Sequence, residues 1–157
     1  MTRTRRIVVG VKASSASLEA LRWAADEARL IHSELSVVHA WLQPETFRPA
    51  PYAPASGRLS PEQAHERAAE ELTLAVWEVF GPAPQIKLRE VLKCGPPARV
   101  LLDEAADADL LVLGGHRSDT PLRHTVGAVT AACLRRAPCP VVVVSPPCTP
   151  SPSETRS

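Results

Sequence analysis

Residues 110–115, Leu110-Leu-Val-Leu-Gly-Gly115, decide the fold class of this chain. The glycines continue into His116 and Arg117, and a segment of helical periodicity containing Gly127 follows. An unbroken apolar run of this kind is typical of a strand buried on both faces. Glycines between a strand and a helix let the main chain approach a ligand closely, and the helix N-terminus offers unpaired N–H groups. The stretch therefore predicts a parallel sheet with a candidate phosphate site after this strand.

The rest of the chain repeats the alternation of strand and helix. The pattern predicts strands at residues 7–11, 35–41, 86–92, 110–113 and 141–144, and helices from the serines at 14–17 to 31, from 61 to about 80, from 97 to 106, and from 122 to 136. Strands that alternate with helices favour a doubly wound α/β fold, with a parallel sheet covered on both faces and right-handed crossovers. Ligands of such sheets bind beyond the carboxyl ends of strands, which points to the loops after the first, second and fourth strands.

Proline and capping residues mark the boundaries between these segments. The proline-rich residues 43–59 predict a mobile loop, and Ser60-Pro-Glu-Gln63 after it has the pattern of a capping box with proline at the first helical position. From Pro146 onward the chain is mostly serine, proline and threonine, which predicts a disordered tail. We therefore expect one folded domain over residues 1–145 and a tail over 146–157.

Composition excludes several classes of protein. The 157 residues suit one domain with its own core, because 45% of them are apolar. A net charge of +1 does not favour a nucleic-acid or membrane surface as the main partner. The four cysteines, at positions 94, 133, 139 and 148, form no metal-binding or redox spacing. Because no secretory segment or membrane span is apparent, we expect a cytoplasmic protein.

Five segments, in order and at matching spacing, resemble the universal stress protein family. They are Val8-Val-Gly-Val-Lys-Ala-Ser14, Leu21-Arg-Trp-Ala-Ala-Asp-Glu-Ala28, Val37-Val-His-Ala-Trp41, Ala106-Asp-Ala-Asp-Leu-Leu-Val-Leu-Gly114 and Ala137-Pro-Cys-Pro-Val-Val-Val-Val144. The resemblance covers the chain to about Ser145. It implies the Rossmann-like, adenine nucleotide alpha hydrolase-like fold, with five parallel strands in the order 3-2-1-4-5. It also implies a homodimer in which the closing strand, Val141–Val144, pairs with that of a second subunit, and an apolar open edge favours the same arrangement.

Some members of the family bind ATP through G-x2-G-x9-G-[ST], and this chain departs from that motif. The overlay places Gly114 and Gly127 on two glycine positions, but Arg117 on the other glycine and Ala128 on the hydroxyl. Lys12 stands where ATP-binding relatives have an aspartate. A side chain at 117 disfavours a left-handed backbone, alanine donates no hydrogen bond, and lysine removes a carboxylate that suits Mg²⁺. These changes weigh against conventional ATP binding, although Lys12, Arg117 and Arg123 could surround another phosphate-bearing ligand.

The resemblance implies a binding site that spans the loops after the first, second and fourth strands. Its candidate residues are Val11, Lys12, Ala13, Ser14, Val38, Gly114, Gly115, Arg117, Gly127, Ala128 and Val129. Simpler interpretations stand beside this one. The paired glycines could only turn the chain, Gly127 could only allow close helix packing, and His116 with its neighbouring arginines could be a solvated basic loop. His39 and Trp41 could line an adenine-sized pocket or be core residues.

We weigh three functional hypotheses. The first is a non-catalytic, dimeric stress-response protein that binds a ligand or partner through a degenerate nucleotide loop. The second is an ATP-binding member with slow or no hydrolysis. The third is an enzyme on a related doubly wound fold, which lacks support because no nucleophile–base pair or paired carboxylates lie near the loops. The sequence predicts no metal site, since His39, His116 and His124 have no metal-binding spacing.

Overall fold

The chain alternates strands and helices along its whole described length. The computed structural model describes residues 3–12, 14–44, 59–115 and 127–145. The predicted mobile loop falls mainly outside these residues, as does the predicted tail. The elements are β1 (Arg6–Gly10), α1 (Ser15–Ile31), β2 (Glu34–Trp41), α2 (Pro61–Phe80), β3 (Leu88–Cys94), α3 (Pro97–Ala105), β4 (Leu110–Gly114), α4 (Ala128–Arg136) and β5 (Val141–Val144).

The strands form a single parallel sheet in the order β3-β2-β1-β4-β5. This confirms the predicted doubly wound α/β fold and the order 3-2-1-4-5. The chain leaves β1 toward one edge of the sheet and returns to the other side of β1 at β4. The strand order therefore reverses between β1 and β4, which is where open α/β sheets bind ligands.

Two apolar clusters cover the two faces of the sheet. Ile7, Val9 and Leu35 face α1 and α2, whereas Val8 and Leu111 face α3 and α4. Each of these five side chains is fully buried. Alternate residues of one strand thus enter different clusters, as the pleat of a strand requires. Burial on both faces explains the unbroken apolar runs of the sequence.

The helix starts follow their sequence signals at α1 and α2. Ser14 is the N-cap of α1, and its hydroxyl accepts a hydrogen bond from the Ser17 N–H at 3.3 Å. Ser60 and Gln63 form the predicted capping box, with Pro61 at the first helical position. Such caps satisfy N–H groups that have no partner inside the helix.

The fourth helix starts later than we predicted. We expected a helix from Leu122 to Arg136 with Gly127 inside it, but Gly127 has φ −56° and ψ 157° and precedes the helix as its N-cap. An extended ψ is incompatible with a helix interior, so the prediction is wrong at this residue. Residues 122–126 lie outside the described part. The third strand also begins two residues later than predicted, at Leu88 instead of Ile86.

Within the described residues, no helix is both long and apolar enough to cross a membrane.

Candidate functional site

A cavity of about 460 Å³ opens at the carboxyl ends of the strands, at the reversal between β1 and β4. Its volume is in the range of small-molecule sites. The lining comes from the loops after β1 and β4, the end of β2, and the first turns of three helices. It comprises Gly10, Val11, Lys12, Ser14, Ala16, Ser17, Val38, His39, Ala40, Pro97, Leu101, Leu113, Gly114, Gly115, Val129 and Thr130.

Seven of the predicted site residues line this cavity: Val11, Lys12, Ser14, Val38, Gly114, Gly115 and Val129. Gly127 and Ala128 begin α4 next to it but are not among the lining residues. Ala13, Arg117, Arg123 and the histidines at 116 and 124 lie outside the described residues. The structure thus brings together loops that are about 100 residues apart in the sequence, as expected for the switch point of an α/β sheet.

The cavity wall is mostly apolar and carries one kind of charge. Val11, Val38, Leu101, Leu113 and Val129 supply the apolar surface. Lys12 is the one lysine or arginine among the described lining residues, and that lining contains no carboxylate. An apolar wall suits a flat ring, and an ammonium group at its rim suits a phosphate or carboxylate.

The loop after β1 is held by a chain of hydrogen bonds. The Lys12 N–H donates to the Ser17 hydroxyl at 2.7 Å, and the Ser14 N–H donates to the Lys12 carbonyl at 2.7 Å. The Val11 N–H donates to the Val38 carbonyl at 2.9 Å, which continues the pairing of β1 with β2. Because these main-chain groups are already paired, the backbone that carries the Lys12 ammonium is fixed before any ligand arrives.

The fold requires glycine at position 114 for a reason other than turning the chain. A Cβ at this position would lie 2.7 Å from the carbonyl oxygen of Ala16, in the first turn of α1. Real side chains do not approach main chain so closely, so only glycine permits this contact between β4 and α1. The contact draws the N-terminus of α1 up to the end of β4 and forms one side of the cavity.

Gly127 differs from Gly114. Among the described residues, nothing would lie within 4 Å of a Cβ at Gly127, and its φ is negative. The alternative that Gly127 allows close helix packing therefore finds no support in this part of the chain. No side chain caps α4 within the described residues, so its first N–H groups keep their capacity to donate.

His39 and Trp41 lie in different environments. His39 is buried and lines the cavity, which agrees with the first of its two interpretations, although it was not among the candidate site residues. Its position near the end of β2 was the basis of the prediction that it could line an adenine-sized pocket. Trp41 does not line the cavity; its ring meets that of His65 edge-on, with centroids 5.3 Å apart. Pro97, Leu101 and Thr130 were also missed, because only the packing of α3 and α4 brings them to this wall.

The described residues offer no metal centre or reactive thiol at the cavity. They contain no group of three or more potential metal ligands. Cys133 is buried on α4, and burial raises the pKa of its thiol. Burial and the nearby Asp109 carboxylate raise the pKa of Cys139 as well. Both thiols are therefore poor nucleophiles near neutral pH, whereas Cys94 at the end of β3 is exposed.

A family model described as the universal stress protein family matches residues 3–145. Among curated relatives, the universal stress protein Rv2623 of Mycobacterium tuberculosis is 33% identical over 151 residues, a match covering 88% of this chain and 46% of that protein. The chain spans about half the length of the curated relatives it matches.

Solved structures show the same fold. The universal stress protein UspA from Lactobacillus plantarum superposes with a TM-score of 0.68 at 23% identity, covering 92% of this chain and 99% of that one. A universal stress protein from Archaeoglobus fulgidus, solved in complex with dAMP, gives a TM-score of 0.61 at 26% identity, with 92% and 99% covered.

Proposed function

The chain belongs to the universal stress protein family, and we propose that it is a non-catalytic stress-response module that binds an adenine nucleotide or a related phosphate-bearing ligand. The observation that carries this proposal is the cavity at the β1–β4 reversal, with an apolar wall, the exposed Lys12 in its lining and, nearby, a start of α4 that no side chain of the described residues caps. The relative from Archaeoglobus fulgidus in complex with dAMP supports an adenine ring as the group that the wall accepts.

The charge of the cavity favours binding without a divalent metal ion. Lys12 occupies the position of the family's aspartate, and the described lining holds no carboxylate to bind Mg²⁺. Lys12 can neutralise a phosphate directly instead. In this proposal a nucleoside monophosphate or an uncomplexed nucleotide is the preferred ligand, and conventional Mg²⁺–ATP binding is the alternative.

The absence of catalysis is part of the proposal. Among the described residues, the polar side chains that line the cavity are Lys12, Ser14, Ser17, His39 and Thr130. The hydroxyls of Ser14 and Ser17 are engaged in the α1 cap and the β1 loop, and His39 is bonded to Val11 and Glu71. Neither serine is paired with a base in these contacts, as an activated nucleophile would be.

Two further properties extend the proposal. β5 is an edge strand of the described sheet, and its four valines are half-buried. Pairing with β5 of a second copy would cover this edge, so we propose a homodimer.

We also propose a cytoplasmic location, consistent with the free thiols of Cys94, Cys133 and Cys139.

Calorimetry on stripped protein tests the ligand. The protein is denatured to remove bound molecules, refolded, and titrated with dAMP and with ATP, each with MgCl₂ and with EDTA. We expect binding of both in EDTA, with no gain from Mg²⁺. Failure of both nucleotides to bind would refute the proposal, and ATP binding that requires Mg²⁺ would favour the alternative.

The altered loop has its own test. Arg117→Gly together with Ala128→Ser restores the glycine and the hydroxyl of the ATP motif. If their loss weakens conventional ATP binding, this double variant should gain ATP affinity by about tenfold, which corresponds to one or two hydrogen bonds. The single variant Ala128→Ser serves as the matched control for the hydroxyl alone. An unchanged ATP affinity in the double variant would contradict this account of the loop.

A further inference from the structure

His39 on β2 lies between two hydrogen-bond acceptors. Its Nδ1 is 2.8 Å from the carbonyl oxygen of Val11, and its Nε2 is 3.0 Å from a carboxylate oxygen of Glu71 on α2. The residue is 6% exposed, so water does not readily replace either partner. The ring thus connects the loop after β1 to a helix on one face of the sheet.

Both contacts form together only when an extra proton is present. A neutral imidazole carries one N–H, and a main-chain carbonyl can only accept. The ring therefore donates to both partners as imidazolium, or a protonated Glu71 donates to Nε2 while Nδ1–H donates to Val11. When the pair loses this proton, a ring lone pair faces either the carboxylate or the carbonyl oxygen. The ring then keeps one of the two bonds and loses the other.

The charges around the ring indicate which bond is lost. Glu71 faces His39 from α2, with Arg67 Nε 3.5 Å from its other oxygen, and β3 places Leu92 beside His39 in the sheet. A carboxylate is a stronger acceptor than a main-chain carbonyl. The neutral ring therefore keeps its N–H on Glu71, and the Val11 carbonyl loses its donor.

Val11 connects this bond to the cavity. Its N–H is tied to Val38, its carbonyl to His39, and the next residue is Lys12. All four residues line the cavity. Release of the Val11 carbonyl leaves the peptide unit between Val11 and Lys12 held only at its other end, where the Lys12 N–H donates to the Ser17 hydroxyl. The backbone that carries the Lys12 side chain is then held by one bond instead of two.

We propose that His39 is a positioning residue for the nucleotide cavity: the proton that it shares with Glu71 fixes the Val11 carbonyl, and thereby the placement of Lys12. The inference rests on the proposed nucleotide site. It requires that ligand affinity fall when a rise in pH removes the proton that His39 and Glu71 share. It also requires that removal of the Glu71 charge abolish this dependence.

The test measures the affinity for cAMP by calorimetry between about pH 5.5 and 8.5, the range in which imidazole groups titrate. cAMP is chosen because its phosphodiester keeps a constant charge over this range. In the native chain we expect the Kd for cAMP to rise about tenfold from the lowest to the highest pH, a change equivalent to the loss of one hydrogen bond. In Glu71→Gln the amide donates to Nε2 of the neutral ring while Nδ1–H stays on Val11, so the affinity should remain high and constant.

Two substitutions of His39 separate its two bonds. In His39→Asn the amide nitrogen takes the place of Nδ1 and keeps the Val11 bond, so binding should be retained at every pH. In His39→Gln the amide reaches toward Glu71 and leaves Val11 unpaired, so binding should be about tenfold weaker at every pH. His65→Gln is the matched control, because the His65 ring meets Trp41 edge-on and not the cavity, and it should keep the native pH profile.

Nitrogen-15 NMR of the imidazole tests the proton arrangement without any ligand. We expect Nδ1 of His39 to carry a proton at the low-pH end of the series, where the ring shares its proton with Glu71, and the Nε2–H tautomer to replace this form once that proton is lost. An unprotonated Nδ1 at the lower pH would overturn the inference, as would a Glu71→Gln variant with the native pH slope. If cAMP fails to bind at every pH, the proposed function fails instead, and the NMR result still decides the arrangement that the inference requires.

Discussion

The two loops that border the cavity are built in different ways. In the β1–α1 loop, Val11, Lys12 and Ser14 all engage their main-chain N–H groups within the protein. At the start of α4, Gly127 supplies no side-chain cap. The first loop can therefore offer a ligand mainly side chains, above all Lys12. The start of α4, in contrast, offers main-chain donors that no side chain of the described residues caps.

The two glycines of the degenerate motif differ in how much space a side chain would have at each position. Gly114 is required because a Cβ would collide with Ala16, whether or not a ligand binds. Gly127 meets no such obstacle among the described residues. A glycine shared with a binding motif can thus serve the fold alone, and substitution experiments can separate the two roles.

Gly114→Ala should have the largest effect on stability. Its Cβ would lie 2.7 Å from a main-chain oxygen that belongs to α1 and cannot rotate away. Overpacking of this kind typically costs about 2–3 kcal/mol, which would lower Tm by roughly 4–12 °C for a domain of this size. Thermal unfolding followed by circular dichroism measures the change.

Gly127→Ala is the matched control for that substitution. Its φ is compatible with alanine, so we expect a change within about 1 kcal/mol in either direction, set by the lost preference for glycine at an N-cap and the stiffer unfolded chain. Equal losses of stability in the two variants would mean that the contrast between Gly114 and Gly127 is wrong.

Ser17→Ala should break the internal bonding of the first loop. The hydroxyl is buried and accepts the Lys12 N–H at 2.7 Å. Its removal leaves a donor without its partner, at a cost of about 1–2 kcal/mol. Denaturant unfolding gives the free energy. Ser15→Ala is the control, since Ser15 is exposed at the start of α1; a loss of the same size there would show that the Lys12–Ser17 bond is not the cause.

Lys12→Ala should weaken nucleotide binding while leaving stability unchanged. Its side chain is exposed, so the attraction to a phosphate is screened, and we expect about a fivefold loss of dAMP affinity that shrinks with added salt. Calorimetry at two ionic strengths checks both effects. Lys87→Ala is the control, because Lys87 lies at the opposite end of the sheet, where it pairs with Glu34; it should bind as the native chain does.

The sequence predicted the fold closely because its signals are local. Buried parallel strands show unbroken apolar runs, and Ser60 with Gln63 marks the start of α2. The start of α4 was misjudged because glycine is compatible with both a helix interior and an N-cap, and only its ψ decides between them.

The candidate site was predictable only where it follows the strand ends. Val11 follows the last residue of β1, Gly114 is the last residue of β4, and Val38 pairs with the last residue of β1; all three line the cavity. Leu101 and Thr130 come from α3 and α4, whose packing no local pattern specifies. The role of His39 needs the position of Glu71, which lies 32 residues later in the chain. Long-range contacts of this kind leave no periodic signal in one sequence.

The smallest expected effect is on the rate at which the Cys133 thiol is alkylated. This rate reports whether a ligand stabilises α4. Its thiol is fully buried with a raised pKa, so alkylation near neutral pH requires α4 to open. A ligand that binds the start of α4 should slow alkylation by iodoacetamide by about threefold, since it stabilises the closed form. Cys94 is exposed on β3 and provides the reference in the same sample, read out by peptide mass spectrometry. Slowing of Cys94 alone, or of both equally, would place the ligand-dependent ordering elsewhere than α4.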